Sequence, residues 1–147
     1  MLLNRREMCL RMPAAALPLF AGSEAFATDE NILPSATFPF EKLVAQKSNH
    51  AEMRAVLKGK PATGESLEVH ETTLQPGSSP HAAHHHEHSE MWLIREGTVE
   101  LTINDMSSTI GPGGVGFVRS NEQHAIGNIG ATPAAYFVVA VGPGAER

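Results

Sequence analysis

Five of the chain's eight histidines lie within residues 81–88, in the run His81-Ala82-Ala83-His84-His85-His86-Glu87-His88-Ser89-Glu90. Imidazole nitrogens and carboxylate oxygens together bind divalent transition metals. A solvated histidine-rich loop has the same composition, so spacing must discriminate. Residues two apart on an extended chain share a face. His84 and His86 can therefore present both rings to one point, with His85 turned away. Glu90 has their parity, yet on a straight strand it would sit about 20 Å from His84, at ~3.3 Å per residue. Metal–ligand bonds are only ~2 Å, so a metal site requires a turn at Glu87–Ser89 and a further ligand from elsewhere in the fold. His81 and His88 lie in or near turns and, with His85, read as surface groups or as a shell around the ligands.

The elements that would carry these groups are short strands. Met53–Leu57, Leu67–Leu74, Glu90–Arg95, Thr98–Ile103, Met106–Ile110, Val115–Val118, His124–Ile129 and Ala135–Val141 are β-branched or alternate in polarity. Pro76-Gly77, Glu96-Gly97, Asn104-Asp105 and Gly111-Pro112-Gly113-Gly114 punctuate them. Strands at such spacing, without helical periodicity, predict an all-β sandwich or barrel. Residues 51–147 form the expected barrel domain. Residues 28–50 read as an N-terminal arm, extended and proline-bearing to residue 40, then a short helix or loop. Trp92 and Ile94 share the parity of Glu90 and should face inward, as core or as one wall of a ligand pocket.

Residues 1–27 read as a removable export signal. Arg5, Arg6 and Arg11 precede a short apolar stretch, and Ala25-Phe26-Ala27 fits a small-x-small cleavage site. Asn4-Arg5-Arg6-Glu7-Met8-Cys9-Leu10 resembles the twin-arginine export motif. The apolar stretch falls short of the ~20 residues a membrane span needs, so no membrane anchor is expected. Residues 28–147 hold 8 Lys+Arg and 14 Asp+Glu, a formal charge of 8 − 14 = −6, which argues against nucleic acid as a partner. The single cysteine, Cys9, lies in the signal. A disulfide or thiolate ligand is thereby excluded from the remaining chain.

Pro76-Gly77, then His84-x-His86, three residues, Glu90, six residues and Gly97 resembles the first motif of the cupin superfamily. Gly113, followed ten residues later by Gln123 and then by His124 and Asn128, resembles the second. The resemblance covers roughly residues 66–142 and implies a double-stranded β-helix, jelly-roll-like barrel. It implies that His124 is the fourth ligand beside His84, His86 and Glu90. There are departures: Gly77 and His84 enclose six residues where the family usually has five, and Arg119, Asn121 and Gly114 stand where proline, glycine and an acidic residue are usual. Arg119 is a candidate bidentate contact for a substrate carboxylate.

Three imidazoles and a carboxylate suit one divalent ion among Mn, Fe, Ni, Co, Cu and Zn. The twin-arginine route, as the resemblance implies, carries folded proteins, which favours cytoplasmic Mn or Fe. The resemblance puts a dioxygenase or other oxidoreductase first, isomerase and lyase after it, acting on a small oxygen-bearing substrate in the periplasm. Glu90 is then a ligand or a catalytic base. A non-catalytic metal- or ligand-binding module is the alternative, and a homodimer is implied in either case.

Overall fold

A computed structural model describes residues 32–145. The expected export signal, residues 1–27, lies outside the described residues. Among the described residues there are nine strands: β1 Ala45–Lys47, β2 Ala51–Gly59, β3 Leu67–Leu74, β4 Ser89–Glu96, β5 Val99–Ile103, β6 Met106–Ile110, β7 Val115–Val118, β8 His124–Asn128 and β9 Ala134–Val141. Every strand pair is antiparallel. Six strands form one sheet in the order β1-β2-β3-β9-β4-β7, and three form the other in the order β6-β5-β8. This is the all-β jelly-roll, double-stranded β-helix architecture.

Alternation sets the inner faces. Val99 and Leu101 of β5, Ile126 of β8, Trp92 and Ile94 of β4, Val118 of β7, and Tyr136 and Val138 of β9 are all buried, with Leu74 and Ala134. Full burial of each large apolar side chain stabilises by roughly 1.5–3 kcal/mol. Aromatic side chains are few, so the β-branched and leucine residues of facing strands carry this core.

Two turns show how residue type fixes the chain's path. Asn104 and Asp105 both have positive φ, 47° and 66°, as a two-residue type I′ hairpin between β5 and β6 requires. Gly97 has φ +76°, and a Cβ there would lie 2.6 Å from Ala134 Cα. Only glycine lets the β4–β5 turn pass so close to the start of β9.

The arm is attached to the barrel at several points. Ile32 bridges Lys60, Phe40–Lys42 is a single 3-10 turn, and β1 pairs with β2. The Phe40 ring lies beneath the guanidinium groups of Arg54 and Arg95, at 4.5 and 5.2 Å. Both arginines also reach Glu71, Arg95 at 2.8 Å and Arg54 at 3.9 Å. Glu71 is thus buried although it lies on the sheet's outer face. No helix among the described residues is long and apolar enough to cross a membrane.

Candidate metal centre

The histidine cluster lies in the crossover from β3 to β4, in an extended segment rather than at the end of a strand. Its one ladder contact is an isolated bridge, His84 to His124. The His84 N–H donates to the His124 carbonyl at 3.0 Å, and the His124 N–H donates to the His84 carbonyl at 2.8 Å. Two residues on, the Asn121 N–H donates to the His86 carbonyl at 2.8 Å. These bonds hold the loop against the first residue of β8. The chain then bends at Glu87–His88 and enters β4, which brings Glu90 back toward the imidazoles. Alternation places His124 and Ile126 on the inner face of β8, and Glu90, Trp92 and Ile94 on that of β4.

The side chains converge. Glu90 Oε1 lies 3.3 Å from His86 Nε2, and Glu90 Oε2 lies 3.5 Å from His124 Nε2. One ligand atom each from His84, His86 and His124 fall within 4.8 Å of one another. His86 Nδ1 donates to the His88 carbonyl at 2.8 Å, and His124 Nδ1 donates to the Glu122 carbonyl at 2.9 Å. A carbonyl only accepts, so Nδ1 carries the proton and, in the neutral ring, Nε2 presents its lone pair to the centre. His84 Nδ1, His86 Nε2 and His124 Nε2 are buried without a hydrogen-bond partner. Orphaned polar atoms of this kind are rare and costly. Three together beside a carboxylate fit a divalent cation.

Electrostatics agree with that donor set. Burial, reinforced by the neighbouring imidazoles His81, His124 and His86, pushes His84 down to about 4. Burial alone would raise Glu90, but the contact from His124 and the charges of His86, His124 and His88 hold it down at about 2. His124 is itself pushed down by burial, which the Glu90 carboxylate and the Glu122 carbonyl outweigh, leaving it above the usual imidazole value.

His85 is exposed, in keeping with its parity. His81 is exposed yet packs edge-on against His84, with ring centroids 4.1 Å apart. His88 comes closer to the centre than its position near a turn suggested. Its ring stacks on His86 at 3.6 Å, and its Nε2 is 3.4 Å from Glu90 Oε1. It shares the parity of His86 and Glu90, and that was the available signal. Arg119 stands apart: it is 75% exposed and paired with Glu122, and it is not among the residues lining the cavity at Glu90.

That cavity has a volume of about 330 Å³. Glu90, Trp92, Ile126, Tyr136 and Val138 wall it, together with Met53, His70 and Thr72 of β2 and β3. Trp92 thus both packs in the core and faces the cavity, 5.4 Å from the His124 ring. His70, Thr72 and Tyr136 were not read as lining a pocket, because parity assigns an inward face without distinguishing a packed interior from a hollow one.

Residues 70–140 match the cupin domain family. No curated protein matches the sequence. Among solved structures, an RmlC-like cupin from Shewanella frigidimarina is similar at 16% identity and TM-score 0.61, over 73% of this chain and 91% of that one. A predicted oxalate decarboxylase from Thermotoga maritima is similar at 24% identity and TM-score 0.61, over 72% and 98%. The polyketide cyclase RemF from Streptomyces resistomycificus is similar at 18% identity and TM-score 0.61, over 74% and 80%. The chain therefore folds as the cupin barrel, its residues 70–140 are similar to the cupin domain family, and it bears a histidine-rich group suited to a divalent metal.

Proposed function

We propose that the protein is a metal-dependent enzyme of the oxidoreductase class, most closely a dioxygenase, acting on a small oxygen-bearing organic molecule. One observation carries this reading: the unpartnered nitrogens of His84, His86 and His124 meet the Glu90 carboxylate at the wall of a cavity of small-molecule size. A divalent ion held by His84, His86, Glu90 and His124 would supply a Lewis acid open to oxygen donors and, as Fe or Mn, a partner for dioxygen.

The chain's own residues do the rest. The Nδ1 bonds of His86 and His124 fix the rings. Trp92, Ile126 and Val138 keep water from the bound molecule. Glu90 faces both the imidazoles and the cavity, so the same carboxylate that balances charge is placed to take a proton at Oε1 or Oε2. Two similar barrels bear the names of an oxalate decarboxylase and a polyketide cyclase, in keeping with an oxygen-rich substrate.

Residues 1–27 direct export to the periplasm in this proposal. The chain pairs as a homodimer, for which the exposed apolar side chains Leu93, Val115, Phe117 and Val141 offer a face.

Metal content, element by element, should be measured on protein exported by its own signal, beside a His84→Ala/His86→Ala variant. Dioxygen uptake should then be followed with catechols, hydroxy acids and β-diketones. About one metal per chain, lost in the variant, with uptake on one substrate class, is the expected result. Metal without turnover on any class would leave a binding module. Equal metal in both proteins would remove the site.

A further inference from the structure

The cavity beside Glu90 has a second polar pole. His70 and Thr72 of β3 line it, with Ala51 and Met53 of β2. The His70 Nδ1 atom is buried and makes no hydrogen bond. Its nearest charged neighbour, Glu68 Oε1, stands 3.4 Å away on the same strand face. Neither residue belongs to the histidine cluster, and neither is needed to hold a metal. The rest of the wall is largely apolar, with Trp92, Ile126, Val138 and the ring of Tyr136, and with Pro80 and His81 from the β3–β4 crossover. The lining includes no lysine or arginine among the described residues.

Charge narrows the class of ligand. A divalent ion with Glu90 and three neutral imidazoles leaves a net charge of about +1, which one anionic oxygen group neutralises. At the His70 pole the nearest fixed charge is the Glu68 carboxylate. A second anion there meets repulsion, whereas a neutral hydroxyl or carbonyl finds an imidazole and a threonine hydroxyl ready to hydrogen-bond. The volume, about 330 Å³, is at the low end of the ~300–1,000 Å³ typical of small-molecule pockets.

We infer that the cavity takes a small monoanion with an apolar body, its anionic oxygens toward Glu90 and the histidine centre and a neutral polar group hydrogen-bonded by His70 and Thr72. This rests on the metal-site reading above and adds the specificity-determining end of the pocket.

The test uses three probes of one shape: benzoate, 4-hydroxybenzoate and terephthalate. Each is titrated calorimetrically into the full-length, zinc-loaded protein, and metal content is measured on the same samples. 4-Hydroxybenzoate should bind about fivefold or more tighter than benzoate, the worth of one well-made neutral hydrogen bond. Terephthalate should bind more weakly than either.

In His70→Ala the advantage of the hydroxyl should fall to about one, with metal content unchanged. His70→Gln, which keeps a donor and acceptor, should recover part of it, and Thr72→Val should lose part. Thermal melts of each variant separate lost contact from lost fold. Metal at one per chain with equal binding of benzoate and 4-hydroxybenzoate, with tight terephthalate, or with no probe bound would overturn the inference and leave the metal reading standing. An advantage that survives in folded His70→Ala would also overturn it. Absence of metal from the wild type would overturn both.

Discussion

Asn128 offers the sharpest test of how the barrel holds its site. Its side chain is buried at the end of β8 and makes three hydrogen bonds. Nδ2 donates to the Leu74 carbonyl at 3.0 Å and to the Thr132 carbonyl at 2.8 Å, while Oδ1 accepts from the Gly130 N–H at 2.9 Å. Its backbone also accepts from the Gly77 N–H at 3.0 Å and donates to the Ser78 carbonyl at 2.9 Å, at the head of the loop that carries the histidines. Asn128→Ala takes a hydrogen-bond partner from three backbone groups. Losing one at the buried Leu74 carbonyl costs roughly 1–3 kcal/mol. The other two lie nearer water and cost less, for a total of about 3 kcal/mol. In a domain of this size that lowers Tm on the order of 10 °C. Asn128→Asp is the diagnostic partner. It keeps the acceptor for Gly130 but turns a carboxylate oxygen toward two carbonyls, so it should be at least as destabilising as alanine despite its matching shape. Thermal melts followed by circular dichroism, with metal content measured at about 20 °C, provide the assay. Metal should remain near one per chain, because the backbone bonds to Gly77 and Ser78 survive both substitutions. An aspartate variant as stable as wild type, or an alanine variant shifted by less than about 2 °C, would refute the assignment of Asn128 as a latch.

Three further outcomes are expected. Gly97→Ala should lose roughly 3 kcal/mol or fail to accumulate, since it combines φ +76° with a Cβ 2.6 Å from the Ala134 backbone; a denaturant midpoint within error of wild type would contradict this. Glu71→Gln should lower stability by about 2 kcal/mol, below the ~3–5 kcal/mol of a fully buried broken pair, because Arg95 is 39% exposed and can turn to water; no change would mean that the Arg54–Glu71–Arg95 cluster holds nothing. Melts of chelator-treated protein should show stability falling as pH drops from 6.5 toward about 4, where the unfolded chain protonates His84 before the folded one. A second fall should run from 4.5 toward about 2 as Glu90 protonates. His124, raised by its partner, contributes stability below 6.5 that is lost as pH rises through its folded value. A continued rise in Tm from pH 6.5 to 8 would contradict that last sign.

The strands were legible because alternation and turn residues agree along this chain. β3, β6 and β7 coincide with the reading from sequence, and the rest differ by one or two residues at their ends. β1 was not legible: Ala45-Gln46-Lys47 is short and carries no apolar alternation, and it is a strand only because β2 offers it a free edge. The convergence of His84, His86 and Glu90 followed from parity and a required turn. The pairing of His84 with His124 is a contact across the barrel, which local pattern does not encode. Glu71 alternates outward as a solvated residue should, yet it is buried where Arg54 and Arg95 reach it, and both of those guanidinium groups lie against Phe40, thirty-one positions from Glu71 in the chain. Nor did any pattern show that Arg119 would turn to Glu122 and solvent.

The isolated bridge between His84 and His124 divides the loop into two stretches with different tolerance to insertion. Upstream, Gly77 and Ser78 are tied to Asn128, and residues 79–83 run from that tie to the bridge in coil and bends. An added residue there bulges outward and leaves the ligands in place, which accommodates the sixth residue between Gly77 and His84. Downstream, a single insertion between His84 and Glu90 reverses parity, turning an imidazole or the carboxylate to the solvent side. Length variation before the bridge is therefore neutral to the chemistry, and after it is fatal. An engineer seeking to append a peptide to this loop, or a lineage drifting in loop length, has room on one side of His84 only.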